Sequence, residues 1–206
     1  MVVMSGKFIL ASASPRRIEL LTLLGLRFEI MPSLVNEAFM EGETPREHVL
    51  RLSEEKTRSS SVLHPDAWVM GADTIVFING EVLGKPRTPD EAKEMLGKLS
   101  GRVHTVFTGF TVARKNAHVL IKDAIESSVR FREIPEDEMA WYIQSEEPYD
   151  KAGGYAVQGM GAFFIKEIFG SYTNVMGLPL CEVVDVLKSV GAIAFNGGSH
   201  GVNRKG

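Results

Sequence analysis

The stretch from Lys7 to Leu24, KFILASASPRRIELLTLL, constrains the fold most, because its hydrophobic period changes within a few residues. Phe8 to Ala11 is a short apolar run of strand type. Ile18, Leu20, Leu21, Leu23 and Leu24 then form a broad apolar helical face that ends at Gly25. The junction is Ser14-Pro15. Ser14 can cap the first-turn N–H groups, and proline at the first helical position sacrifices no hydrogen bond. Arg16 and Arg17 fall in the first turn, where a cation opposes the positive end of the helix dipole. A bound anion would remove that conflict, since helix-start N–H groups and guanidinium forks both suit phosphate oxygens. Two solvated surface arginines would equally account for the residue types.

The rest of the chain alternates in the same way. Arg27 to Met31 reads as a second strand, which leaves Glu37 on the loop that follows. Thr44-Pro45-Arg46-Glu47 is a capping box opening a helix to about Ser60, with Lys56 on it. Trp68 to Ala72 reads as a central strand that leads into Asp73-Thr74, with Ile75 to Ile78 extended beyond. Asn79-Gly80 is a hairpin signal, so Glu81 to Leu83 should pair back and leave Lys85 near the hairpin end. A second Thr-Pro-x-Glu start at Thr88 predicts a helix to Leu99. Val103 to Ala113 and Val119 to Phe131 are long strand-like runs, and a short helix is expected over Pro135 to Gln144. Ala162 to Ile165 reads as a further strand, and Asn174 to Val190 as a closing helix. Strands alternating with capped helices around a hairpin-rich middle imply an α/β fold with a mixed sheet and flanking helices. No composition break divides it, so residues 1–190 are expected to be a single domain and 191–206 a flexible Gly-rich tail.

Several function classes are excluded. A formal charge of -3 over 206 residues, with a pI near 6.0, argues against a broad nucleic-acid or membrane footprint, so anion binding must be focal. The single cysteine, Cys181, excludes an internal disulfide, and neither a leader peptide nor an apolar span is evident, so a cytoplasmic protein is expected. Gly80 to Lys85 resembles a P-loop but is one residue short, and Pro86 stands where Ser or Thr should bind magnesium. Gly197-Gly198-Ser199-His200-Gly201 matches a nucleophile elbow without a preceding strand, and Ser53-Glu54-Glu55-Lys56 lacks the partner motifs of serine acylases. The five histidines show no zinc spacing.

What remains is a set of polar residues after expected strands: Arg16 and Arg17, Glu37, Asp73 and Thr74, Lys85, and the Asp150 to Gln158 loop. In open α/β sheets ligands collect outside the carboxyl ends of strands. Several cations beside two separated carboxylates suit a magnesium-bound polyphosphate. Five motifs carry a resemblance: Ala11-Ser12-Ala13-Ser14-Pro15-Arg16-Arg17, Gly71-Ala72-Asp73-Thr74, Gly84-Lys85-Pro86, Asp150-Lys151-Ala152-Gly153-Gly154-Tyr155 with Gln158-Gly159, and Gly170 to Pro179. In this order they resemble the Maf family over Lys7 to Val190.

The resemblance implies a house-cleaning nucleoside triphosphate pyrophosphatase of the dTTP and UTP branch, with a fold like that of the inosine triphosphate pyrophosphatases and a cleft between two lobes. It implies a divalent cation, Mg2+ or Mn2+, held by Glu37 and Asp73. Asp73 would be the general base, with Arg17, Glu37, Lys56 and Lys85 completing the catalytic set. Arg16, Thr74 and Gln158 would govern substrate choice; the Gln158 amide can match O4 and N3–H of uracil or thymine, and a flipped amide matches cytosine too, so CTP and other or modified pyrimidine nucleotides stay open. Ser12, Ser14, Asp150 and Lys151 would contact substrate. A homodimer is compatible. The alternatives are a nucleotide-binding regulator of cell division or septum formation without obligatory turnover, and a nucleotidyl or sugar-phosphate transferase.

Overall fold

The computed structural model describes residues 2–196. The opening segment behaves as its period change predicts: strand β2 (Phe8–Leu10) runs into helix α1 (Pro15–Leu23), after β1 (Val2–Met4). Ser14 is the N-cap of α1 by position, but its side chain makes no capping bond. The local anchor is Ser12, whose hydroxyl accepts the Ser14 N–H at 3.2 Å. Strand β3 (Glu29–Ile30), helix α2 (Pro45–Leu63), strand β4 (Trp68–Ile78), strand β5 (Glu81–Leu83), helix α3 (Pro89–Leu99), strand β6 (Val103–Arg114) and strand β7 (Val119–Phe131) follow. The Thr44 capping box is complete, and Asn79 and Gly80 take positive φ in the β4–β5 hairpin, as their residue types predict.

One mixed sheet has the order β3-β2-β4-β6-β7-β8, where β8 is Ile165–Phe169, and β5 also pairs with β4. Strands β3, β2 and β4 are parallel, and every other pairing is antiparallel. Strand β4 is continuous, so Asp73 and Thr74 lie within it and not just after a strand ending at Ala72. β6 pairs along one edge of β4 from Val69 to Phe77 and supports the whole length. The other edge is divided: β2 covers it as far as Met70, and β5 takes over at Val76. Residues 71–75 face an open fork.

Helix α2 crosses one face of this sheet at unusually close range. A Cβ on Gly71 would lie 2.7 Å from the Ser53 carbonyl oxygen, and one on Gly109 would lie 2.3 Å from that of Val49. The seat is bonded as well as close. Ser53 Oγ meets Thr111 Oγ1 at 2.8 Å, and Thr57 Oγ1 donates to the Thr111 carbonyl at 3.2 Å. On the opposite face the apolar core separates into two clusters. One joins Phe8, Leu10, Met70 and Phe110 to α1 and to α6 (Leu180–Ser189). The other joins Val76, Leu83, Leu96, Phe131 and Phe164. These are the two lobes.

The short helix expected over 135–144 forms, as α4 (Glu136–Tyr142). Three further expectations change. The expected helix over 174–190 is two helices, α5 (Tyr172–Met176) and α6, because Gly177 takes φ +114° and Pro179 cannot continue a helix. The strand expected at Ala162 to Ile165 is a 3₁₀ turn, Met160–Phe164, followed by β8. There the Glu147 carboxylate accepts the N–H groups of Met160 and Gly161, each at 2.8 Å, and takes donors that a ladder would use. Finally, the fold does not stop at 190: β9 (Ile193–Phe195) pairs antiparallel with β1. The remainder of the expected tail, including the Gly197 to Gly201 motif, lies outside the described residues.

The close seat of α2 makes a paired prediction. Gly109→Ala forces a methyl against backbone, so unfolding free energy should fall by about 1–3 kcal/mol and the melting temperature by about 2–4 °C for each of those. Gly97→Ala, inside α3 with nothing within 4 Å of the new methyl, should instead gain up to about 1 kcal/mol. Thermal and urea denaturation of both variants decide it, and an unchanged Gly109→Ala protein would show that α2 can lift freely.

Candidate active site

Side chains alternate across a strand, so neighbours on β4 serve opposite faces. Gly71, Asp73 and Ile75 point to α2, and Ala72, Thr74 and Val76 point to the other side. At the open fork both sets reach one cleft of about 450 Å³ that lies between the two apolar clusters.

On the α2 side the Lys56 ammonium bridges two carboxylates, at 2.6 Å from Glu37 Oε1 and 2.7 Å from Asp73 Oδ1. Lys56 and Asp73 are buried, whereas the Glu37 side chain is 58% exposed at the rim. Burial pushes the Glu37 carboxyl up. The hydrogen bond to Lys56 and the charges of Lys56, Lys85 and Arg17 outweigh it, so Glu37 is held below the usual carboxylate range.

On the other side Arg17 is 8% exposed and fully organised. Its Nε donates to the Gly177 carbonyl at 2.8 Å, Nη1 to Ser12 Oγ at 3.1 Å and Nη2 to Thr74 Oγ1 at 2.9 Å. Thr74 Oγ1 is itself 2.9 Å from Thr108 Oγ1, and the Thr108 hydroxyl donates to the Asn174 carbonyl. Arg16 grips the adjacent carbonyl, that of Met176, at 3.1 Å. Burial lowers the pKa of both arginines, most of all by desolvation. Among the described residues neither arginine forms an ion pair within 4 Å, and neither does Lys85. A buried guanidinium held only by neutral acceptors, with two of its five N–H donors left over, is a site for an anion.

Four cations, Arg16, Arg17, Lys56 and Lys85, and three carboxylates, Glu37, Asp73 and Asp150, line the cleft, with Ser12, Ser14 and Thr74 among them. Ten of the twelve residues expected at a site are therefore brought together. Two are not. Lys151 points to Asp150, and Gln158 is exposed, with its amide 3.5 Å from Glu19. Their segment turns back at Gly153 and Gly154, which leaves Ala152, Tyr155, Ala156 and Val157 as its lining. Sequence reasoning missed Gly177, which accepts from Arg17, although the breaker Gly177-Leu178-Pro179 marked the spot. It also missed Thr108, a mid-strand threonine with no distinguishing pattern.

Glu37 and Asp73 are the two carboxylates that could share a cation. Among the described residues no cluster of three or more His, Cys, Asp or Glu side chains forms a ready-made cage. Two hard oxygen donors beside spare cations suit Mg2+, which takes most of its remaining ligands from water and substrate phosphates. No helix among the described residues is long and apolar enough to cross a membrane.

The mixed α/β sheet with its flanking helices resembles that of the Ham1 proteins. The Ham1 protein of Coxiella burnetii superposes with a TM-score of 0.51 at 16% identity, over 89% of this chain and 98% of that one. That of Staphylococcus aureus gives 0.50 at 13%, over 90% and 97%. The chain thus shares the fold of these Ham1 proteins. More narrowly, a family model described as Maf-like protein matches residues 7–190, and the chain belongs to that family. The dTTP/UTP pyrophosphatase of Syntrophus aciditrophicus is 59% identical over 198 residues, 96% of this chain and 97% of the relative. That of Geotalea uraniireducens is 46% identical over 193 residues, 94% and 100%.

Behind the cleft, His104 Nε2 meets the hydroxyl of the lining residue Tyr155 at 2.7 Å, while its Nδ1 is buried without a partner. Desolvation lowers the His104 pKa to about 4. An unfolded chain would bind that proton near pH 6.5, so below 6.5 the unfolded state holds more protons and stability falls with pH until about 4. The loss should total about 3 kcal/mol. Urea unfolding between pH 7 and 4 should show it, and His104→Gln should flatten the slope; parallel slopes would assign the acid sensitivity elsewhere.

Proposed function

We propose that this protein hydrolyses dTTP and UTP at the α–β phosphoanhydride, releasing the nucleoside monophosphate and pyrophosphate. The observation that carries the reading is the pairing, across one open strand edge, of a Lys56-bridged carboxylate pair with a buried guanidinium that, among the described residues, has no carboxylate within 4 Å. The names of its relatives, full-length matches at 59% and 46% identity, supply the substrates.

In this reading Asp73 receives the proton of the attacking water. The water oxygen bonds to the α phosphorus, the bond to the α–β bridging oxygen breaks, and pyrophosphate leaves with the electron pair. Arg17, Lys56 and Lys85 take up the charge that grows on the departing group. Lys56 also holds the Asp73 carboxylate in place, its ammonium 2.7 Å from Oδ1. Glu37 and Asp73 would hold a divalent cation, which supplies Lewis-acid stabilisation of phosphate charge. Substrate choice is assigned to Arg16 and Thr74, both on the lining, with Gln158 next to the lining residue Val157. Ser12 and Ser14 offer hydroxyls at the helix start, and Asp150 closes the far rim.

Incubation of the purified protein with dTTP or UTP and magnesium should yield dTMP or UMP and pyrophosphate in equal amounts. Orthophosphate with a nucleoside diphosphate would contradict the assignment. Asp73→Asn, which leaves Lys56 paired with Glu37, should lower kcat by about 10²–10⁴ in a protein with parental circular dichroism. A near-parental rate in that folded variant would remove Asp73 as the base.

A further inference from the structure

Glu37 reaches the cleft from residues 31–44, which form neither helix nor strand between β3 and α2. This segment buries little: Leu34 is fully exposed, and Phe39 and Met40 are 41% and 56% exposed. Ordering such a loop costs roughly 1–2 kcal/mol for each residue fixed, and apolar burial does not offset it here. The segment is tied instead by one polar latch on α2. Arg51 forks the Glu43 carboxylate, with Nε to Oε1 at 2.7 Å and Nη2 to Oε2 at 2.9 Å. The same Nη2 donates to the carbonyl of Ala38, the residue after Glu37, at 3.0 Å. His48 Nδ1 meets the same Glu43 Oε2 at 2.9 Å, and Phe39 stacks flat on the His48 ring with centroids 3.5 Å apart. The Arg51 fork holds Glu43 at a pKa of about 2, so the latch stays charged throughout the neutral range.

We propose that Arg51 and Glu43 are positioning residues for Glu37. By clamping the peptide that follows Glu37 against α2, they set this exposed carboxylate onto Lys56 and into the cleft. Neither Arg51 nor Glu43 lines the cleft itself. Their action on turnover passes through Glu37 alone. This rests on the hydrolysis proposed above.

A double-mutant cycle tests it. Arg51→Met should lower kcat/KM for dTTP by about tenfold to a hundredfold, the scale of an ångström-sized misplacement of a catalytic group. In a Glu37→Gln background the same change should cost no more than about twofold, because the group being positioned is gone. Equal losses in the two backgrounds, or no loss in the first, would overturn the proposal, since a merely structural role costs the same in both. If Glu37→Gln turns over too slowly to assay, the cycle is read in the affinity for α,β-methylene-dTTP with magnesium, with the same two outcomes. If Arg51→Met does not fold, Arg51→Lys replaces it, keeping the charge but losing the fork that spans Glu43 and Ala38. A parental enzyme with no activity on dTTP or UTP would count against the hydrolysis reading; an active parent with additive losses counts against the latch.

Discussion

The seating of α2 over two glycines governs the rest of the structure. A lysine can pair with a buried carboxylate only if backbone geometry brings its ammonium there, because desolvating either charge without its partner costs several kcal/mol. Gly71 and Gly109 let the helix descend until its own carbonyls nearly touch the sheet. Ser53 and Thr57 then bond to Thr111 and hold it there. Lys56, one turn from Ser53, arrives at Asp73 as a consequence. The S-x-x-K pattern that carries no acylase chemistry is thus a seat and a charge on one helical face.

The second constraint is the divided edge of β4. Parity places Asp73 with the α2 face and Thr74 with the α5–α6 face, so one dipeptide serves two separate sets of partners. Asp73 meets Lys56 and Glu37, and Thr74 meets Arg17 and Thr108. Where β2 ends and β5 has not begun, both sets open onto the same space. The Maf-like family membership and the Ham1-like fold describe this arrangement at two levels of likeness.

Much of this was legible in the residues. The period change at Ser14-Pro15, the two Thr-Pro-x-Glu helix starts and the Asn79-Gly80 hairpin each act within a few residues, and each formed where its local chemistry required. The mixed sheet followed from them. Errors arose where distant partners decide. Met160 to Phe164 has a strand-like composition, but Glu147 claims its N–H groups from thirteen residues away. Asp73-Thr74 read as the end of a strand because two polar residues interrupted an apolar run, and only the pairing with Gly109 and Thr108 shows why the strand continues through them. The site residues came from the family resemblance more than from local pattern. Gln158 sits just after the turn at Gly153 and Gly154, with its amide 3.5 Å from Glu19.

Strands β4 and β6 run unbroken from one apolar cluster to the other, in register from Val69 to Phe77. Hinge closure requires a few residues at a boundary to absorb a change in φ and ψ. Here the boundary is spanned by a continuous ladder, and a rotation of one lobe would have to shear it. The two lobes are therefore mechanically a single beam with a notch cut in one edge. The width of that notch is fixed by the sheet, and accommodation of a bulkier or smaller guest falls to the segments at its rim, residues 31–44 and the turn at Ala152–Gly154.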